Sequence, residues 1–204
     1  MHIEVLVEEE SAKVALDILL PKMLEGKASC AIHDLGGKDK MLKTLNSRLK
    51  GYKNWPPFDL RVLVLLDRDD EDCHHLKQKL ETAARNAGFV TRSARVGSSF
   101  QLLNRIAIEE LEAWFFGDVA ALVSAYPRVH NLNENQSGYR DPDAIQGGTW
   151  EALLRELQKA NYYRYQKGLP KGEVARKIAE HMDPTRNRSR SFQVFREGLL
   201  ELIN

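Results

Sequence analysis

The sequence predicts an α/β fold, with a mostly parallel β-sheet flanked by helices and a helical C-terminal extension. Three observations carry this. The run Leu60–Leu66 is apolar without alternation, as a parallel strand covered on both faces must be. Short apolar segments alternate with stretches of helical spacing over residues 1–126, the pattern of βα units. After Pro127 the alternation stops: residues 128–148 are rich in Asn, Gly, Asp and Pro, and three helical segments follow. The 204 residues suit one domain or one domain with an appendage. A chain of this size buries roughly 70% of its unfolded surface without needing a disulfide.

Taken in order, Ile3–Val7 is short, apolar and β-branched, a strand that stops at Glu8-Glu9-Glu10. Ser11 can cap a helix over Ala12–Leu20, and Pro21 marks its kink or end. Ser29–His33 reads as a second strand, broken by Gly36-Gly37. Lys38–Leu49 then places Met41, Leu42, Leu45 and Leu49 at helical spacing. Leu60–Leu66 is the third strand, Glu71–Ala87 a helix stopped by Gly88, and Phe89–Val96 a further strand. Arg105–Ile108 is one more short strand. Glu110–Tyr126 is helical with a break near Gly117-Asp118, where Asp118 can cap the next stretch. Trp150–Ala160, Lys171–Met182 and Ser191–Ile203 complete the chain as helices. The expected organisation is a core over residues 1–126 and, over 127–204, an irregular loop plus a basic helical extension packed on it.

Composition excludes several classes. With 43% hydrophobic and 29% charged residues, the chain is not of disordered composition. Two cysteines, Cys30 and Cys73, form no CxxC pair, so a disulfide scaffold or Cys-rich zinc site is not expected, and a reducing cytoplasm fits. The start lacks the features of a signal peptide, and no apolar run approaches the ~20 residues that span a bilayer. HExxH, GxSxG and GxxxxGK[ST] are absent, which weighs against a zinc protease, a serine hydrolase and a P-loop ATPase. The net charge of +1 conceals an asymmetry. Residues 155–204 hold 11 Lys+Arg and 6 Asp+Glu, a net of +5, whereas residues 1–154 hold 19 and 23, a net of −4.

The strongest chemical signal is Leu66-Asp67-Arg68-Asp69-Asp70, carboxylates two apart where an apolar strand ends. Ligands of open α/β sheets sit beyond the carboxyl ends of strands. If the extended backbone persists, Asp67 and Asp69 lie on one side. If the first and third strands are neighbours, Glu8 joins them. Oxygen-only ligands favour a hard cation such as Mg²⁺. The plainer reading is that these acids cap the next helix and complement its dipole. The same alternative holds for Glu109, Glu110 and Glu112 at a helix start. Lys167, Lys171, Arg176, Lys177, Arg186, Arg188 and Arg190 form the basic tail, each as readily a solvated residue as a phosphate contact. Arg188-Ser189-Arg190-Ser191 holds phosphate-contacting types, although Ser191 also suits a helix cap. Tyr162-Tyr163-Arg164-Tyr165 has the interleaving of a base-stacking surface and equally that of core packing.

Four motifs occur in order: Val7-Glu8-Glu9-Glu10-Ser11, Leu66-Asp67-Arg68-Asp69-Asp70-Glu71-Asp72-Cys73, Ile106–Asp118 with its Glu112-Ala113-Trp114 unit, and Asn187–Phe195. Together they resemble the TOPRIM-like family called domain of unknown function 4276, over nearly the whole chain. The resemblance implies a TOPRIM core with Glu8, Asp67 and Asp69 around Mg²⁺ or Mn²⁺, and it singles out Glu112 as a fourth carboxylate. Many TOPRIM domains follow the first Glu with Gly. Here Glu9 follows, which leaves open which of Glu8, Glu9 and Glu10 faces the metal. The expected function is a metal-dependent phosphodiesterase, most simply a nuclease, with Lys167, Arg188 and Arg190 on the nucleic-acid backbone. The resemblance also implies an alternative, a regulatory subunit of an ATPase in a bacterial defence locus. A small-molecule phosphotransfer protein is the third reading.

Overall fold

A computed structural model describes residues 1–54, 59–130 and 132–204, so Asn131 of the expected loop lies outside the described residues. Four parallel strands, β1 (His2–Val7), β2 (Ser29–Asp34), β3 (Leu60–Asp67) and β4 (Leu102–Ala107), form one sheet in the order β2-β1-β3-β4. Alternation along the strands divides two cores. Ile3, Val5, Val7, Leu63, Leu65 and Leu103 face one side, and Leu6, Val62, Val64, Leu66 and Leu102 face the other. Helices α2 (Lys38–Lys53) and α3 (Cys73–Asn86) cover the second face through Met41, Leu45, Leu49, Leu76 and Leu80.

The first face carries the larger core. Helix α1 (Glu10–Leu24) packs there along α7 (Lys171–His181), and α8 (Arg190–Leu202) lies against β4. Short helices α4 (Glu112–Phe116) and α5 (Val119–Ala125), with α6 (Thr149–Lys159), complete this layer. Residues beyond 127 therefore share the main core with α1 and the sheet. The segment 128–148 is ordered by its own contacts. Tyr139 stacks on Phe116 at 5.1 Å and donates to Glu156 at 2.7 Å, and Ile145 is buried.

Several elements differ from expectation. Phe89–Val96 is not a strand: only Thr91 bridges to Leu102. The fourth strand begins earlier than Arg105, at Leu102. Pro21 does not end α1. Leu19, Leu20, Met23 and Leu24 are all buried, and their packing carries the last turn past the missing N–H. Ser11 lies inside α1 and donates to the Glu9 carboxylate, and α3 is capped by Asp72, not by Asp67–Asp70. Ser189, not Ser191, caps α8. Asp118 does cap α5, accepting from Ala121 N at 3.1 Å.

Candidate functional site: the acidic edge at the β1/β3 crevice

Chain direction across the sheet reverses between β1 and β3. One connection runs outward to β2, and the other runs back across to β3 and β4. Such a switch point opens a crevice at the carboxyl ends of the strands. Val7 pairs with Leu65, so Glu8, just after β1, and Asp67, the last residue of β3, flank that crevice. The β3–β4 ladder continues beyond the strands, with Arg68 N donating to Ala107 O at 2.9 Å and Asp69 N to Glu109 O at 2.8 Å. This brings the start of α4, with Glu110 and Glu112, to the same edge.

The extended backbone ends at Asp67. Asp69 has φ 49° and Glu109 φ 62°, left-handed conformations that are rare for non-glycine residues and concentrate at functional sites. The alternation that would pair Asp67 with Asp69 is thus broken. Asp67 is buried at 7% exposure, whereas Asp69 is half-exposed and paired to Lys38 at 2.6 Å.

Two lysines divide the acids into two groups. Lys38 Nζ meets Asp69 at 2.6 Å and Glu71 at 3.4 Å, and its charge also acts on Glu8. Lys171 Nζ lies 3.3 Å from Glu9, 3.9 Å from Glu110 and 4.0 Å from Glu112. Burial, then the charges of Glu112, Glu8 and Glu9, holds Asp67 well above the usual carboxylate range; Lys171 opposes them. Burial pushes Glu112 up to about 7 against the pull of Lys171. Burial also raises Glu8, with Lys38 opposing and Asp69 adding to the rise. Burial would lower Lys171, but Glu112, Glu9, Glu110 and Asp67 together raise it above its ordinary value.

Among the described residues, Glu8 Oε2 and both Glu112 carboxylate oxygens are buried without a hydrogen-bond partner. A lone buried carboxylate is costly, so an edge holding three such oxygens is poised for a cation or a proton. Glu110 is better satisfied, since its Oε2 accepts from Thr149 Oγ1 at 2.8 Å and Trp150 N at 3.1 Å. Among the described residues, no group of three or more His, Cys, Asp or Glu side chains is arranged to hold a metal ion. Glu8, Asp67 and Asp69 therefore flank one crevice without forming a closed three-carboxylate cage.

Two clefts adjoin the edge. One, about 450 Å³, is lined by Asp69, Asp70, Glu109, Glu110, Gly148 and Trp150. The other, about 510 Å³, is lined by Glu10, Pro170, Lys171, Gly172, Arg176 and Lys177. The second is where cations from the C-terminal extension reach the acidic edge.

The expected phosphate contacts lie differently. Arg188 donates to Arg140 O at 3.1 Å and pairs with Glu134 at 3.3 Å, which ties it to the loop before α6. Arg190 is exposed and pairs with Glu197 on its own helix at 3.6 Å. Lys167 is exposed in the turn before α7. Asn187, Ser189 and Ser191 are buried and engaged: Asn187 donates to Trp114 O at 2.7 Å, and Asp143 accepts from Ser189 Oγ, Ser191 N and Ser191 Oγ at 2.7–3.0 Å. Tyr162 and Tyr163 pack against Tyr126, leaving Tyr165 exposed.

A parallel α/β sandwich whose switch point is lined by buried carboxylates is the class these elements define. The model of the family described as Domain of unknown function (DUF4276) matches residues 7–200, and the chain belongs to that family. No curated protein and no solved structure matches it. No helix among the described residues is long and apolar enough to cross a membrane.

Proposed function

We propose that the protein is a TOPRIM-like, Mg²⁺- or Mn²⁺-dependent phosphodiesterase, most simply a nuclease, acting at the β1/β3 crevice. The observation that carries this is the buried carboxylate edge, where, among the described residues, Glu8 Oε2 and both Glu112 oxygens have no hydrogen-bond partner beside the buried Asp67. The donors are all oxygen, which fits a hard divalent ion. Mg²⁺ is commonly held by one or two carboxylates, with waters and substrate phosphate completing its shell. An edge without a closed cage suits that mode. Glu8, Asp67 and Asp69 would hold the ion, with Asp69 released from Lys38. When bound, it would polarise a phosphoryl oxygen and lower the pKa of a coordinated water.

The chain's own residues supply the rest. Glu112, with a carboxyl near 7, holds or releases a proton close to neutral pH, as a general acid or base must. Lys171, Arg176 and Lys177 line the cleft by which a polyanion approaches without crossing the acid-lined one. Lys167, Arg188 and Arg190, on the same C-terminal segment, would add phosphate contacts to a bound polyanion.

The test is cleavage of DNA and RNA with Mg²⁺ or Mn²⁺ by wild type and by Asp67→Ala/Asp69→Ala. Metal-dependent cleavage that falls at least ~100-fold in the double variant is expected, because the ion's several kcal/mol of charge stabilisation is lost. Absence of metal binding by calorimetry together with cleavage that survives the double substitution would sink this assignment.

A further inference from the structure

The run Tyr162-Tyr163-Arg164-Tyr165 divides into two parts in the structure. Tyr162 and Tyr163 are half-buried: Tyr126 meets both rings, Arg128 lies over Tyr162 at 4.0 Å, and the Tyr163 hydroxyl donates to Glu173 at 2.7 Å. Tyr165 is 90% exposed. Among the described residues, the exposed large apolar side chains are Met1, Val90, Val96 and Tyr165, so Tyr165 is the one aromatic in that group. Its ring meets the Arg164 guanidinium at 5.7 Å and takes no part in the core. The backbone beneath it is fastened. Gln166 N donates to Tyr163 O at 3.0 Å, which closes a turn with Arg164 and Tyr165 at its tip. Gln158 of α6 donates to Gln166 O at 2.8 Å, and Tyr162 N donates to Leu157 O at 2.9 Å, which ties the turn to α6.

The surroundings of the turn are cationic. Residues 161–177 hold Arg164, Lys167, Lys171, Arg176 and Lys177 against a single acid, Glu173. Lys177 lies 6.0 Å from the Tyr163 ring centroid and lines the cleft with Lys171 and Arg176, so the base of the turn is continuous with that cleft. We propose that this turn is a binding site for single-stranded nucleic acid, in which one base stacks on Tyr165 and the neighbouring phosphates meet Arg164 and Lys167. Base–aromatic stacking tolerates any sequence, because every base has a π-face, and a cationic groove holds the backbone beside it. A rigid ring with two side-chain torsions is ordered at low entropic cost. The bases of a duplex are stacked on one another, so this contact favours the single strand. The onward path of the strand, past Arg176 and Lys177 to the acidic edge, rests on the phosphodiesterase reading. The stacking site at Tyr165 does not.

The experiment is fluorescence anisotropy of the full chain with labelled oligothymidylate, oligouridylate and a DNA duplex, each about 16 nucleotides or base pairs long. EDTA is present throughout, so that no metal-dependent cleavage intervenes. Wild type is compared with Tyr165→Ala and Tyr165→Trp, and thermal unfolding checks that all three fold alike. Tyr165→Ala is expected to weaken single-strand binding about 10-fold, the loss of one stacked base, and to leave duplex binding unchanged. Its slope of log affinity against log salt is expected to match wild type, because no charge is removed. Tyr165→Trp is expected to bind single strands at least as tightly as wild type. Tighter binding of either single strand assigns the ligand as DNA or RNA, and both results support the proposal. Equal single-strand affinity of wild type and Tyr165→Ala overturns it, as does wild type that binds neither single strand. Metal-dependent cleavage by a chain whose single-strand binding ignores Tyr165 removes this inference and leaves the phosphodiesterase reading. Tyr165-dependent binding by a chain that cleaves nothing does the reverse.

Discussion

Helix α4 is five residues long, and its first and middle residues treat buried polarity in opposite ways. At Trp114 the indole Nε1 donates to Ser191 Oγ at 2.9 Å, and the carbonyl accepts from Asn187 at 2.7 Å. Asp143 then gathers both serine hydroxyls and the Ser191 amide. Two residues earlier, Glu112 is equally buried, with no hydrogen bond to either carboxylate oxygen. A fully satisfied buried network stiffens a fold, and a deficient one costs stability unless a function retains it. The difference teaches where to look: the Trp114 junction fastens the C-terminal extension, and the Glu112 edge is the candidate site.

The largest expected effect breaks the fastened junction. Trp114 is fully buried and packs against Phe192 and Phe195 with ring centroids 5.0 and 4.9 Å away. Trp114→Ala is expected to cost about 3–5 kcal/mol, measured by denaturant unfolding. A destabilisation below about 1 kcal/mol would show that this junction does not hold the extension.

The next effect has the opposite sign and belongs to the start of the helix. Burial raises Glu112 from 4.5 in the unfolded chain to about 7. Below 4.5 both states are protonated, and the group costs nothing. As pH climbs through 7, only the folded state resists ionisation, so stability is lost across the window from about 4.5 to 7. Glu112→Gln removes that loss and is expected to stabilise the chain above about pH 7 by on the order of 3 kcal/mol. Urea titrations between about pH 4.5 and 8.5 check this, and parallel wild-type and variant curves would break the comparison. Within the satisfied network, Asp143→Ala leaves the Ser191 amide and two hydroxyls without their acceptor. It is expected to cost about 2 kcal/mol in the same urea unfolding.

The two regions were unequally legible in the sequence. The acids were visible because an unbroken apolar strand, Leu60–Leu66, ran straight into them, and the pairing of β1 with β3 brought Glu8 alongside. The left-handed turn at Asp69 was not visible, because it is set by the ladder that ties Asp69 N to Glu109 O, forty residues away. Strand β4 was obscured by Asn104 and Arg105. Asn104 is paired to Glu81 of α3, and Arg105 is packed beneath Gly198 of α8, both arrangements that exist only in the tertiary structure. Phe89–Val96 has the better strand composition but lies outside the ladder except at Thr91. The two lysines of the site did leave a trace. Lys38 follows Gly36-Gly37 and Lys171 follows Pro170, so each opens a helix where the dipole opposes a cation. A cation in that position calls for acids nearby, and both have them.

The smallest effects separate two arginines that the sequence presents alike. Arg188 bonds Glu134 and the Arg140 carbonyl, so Arg188→Ala is expected to cost about 1 kcal/mol by freeing the loop before α6. Arg190 is mostly exposed and pairs with an exposed Glu197 at 3.6 Å, so Arg190→Ala is expected to change stability by less than about 0.5 kcal/mol. Nucleic-acid affinity should reverse that order. If Arg190 neutralises a phosphate, its removal lowers the slope of log affinity against log salt by about 1, whereas Arg188, already engaged within the protein, has less to give up. Measured by fluorescence anisotropy at several salt concentrations, an unchanged slope for both variants would move the phosphate-binding surface away from the start of α8, to Lys171, Arg176 and Lys177 beside the acidic edge.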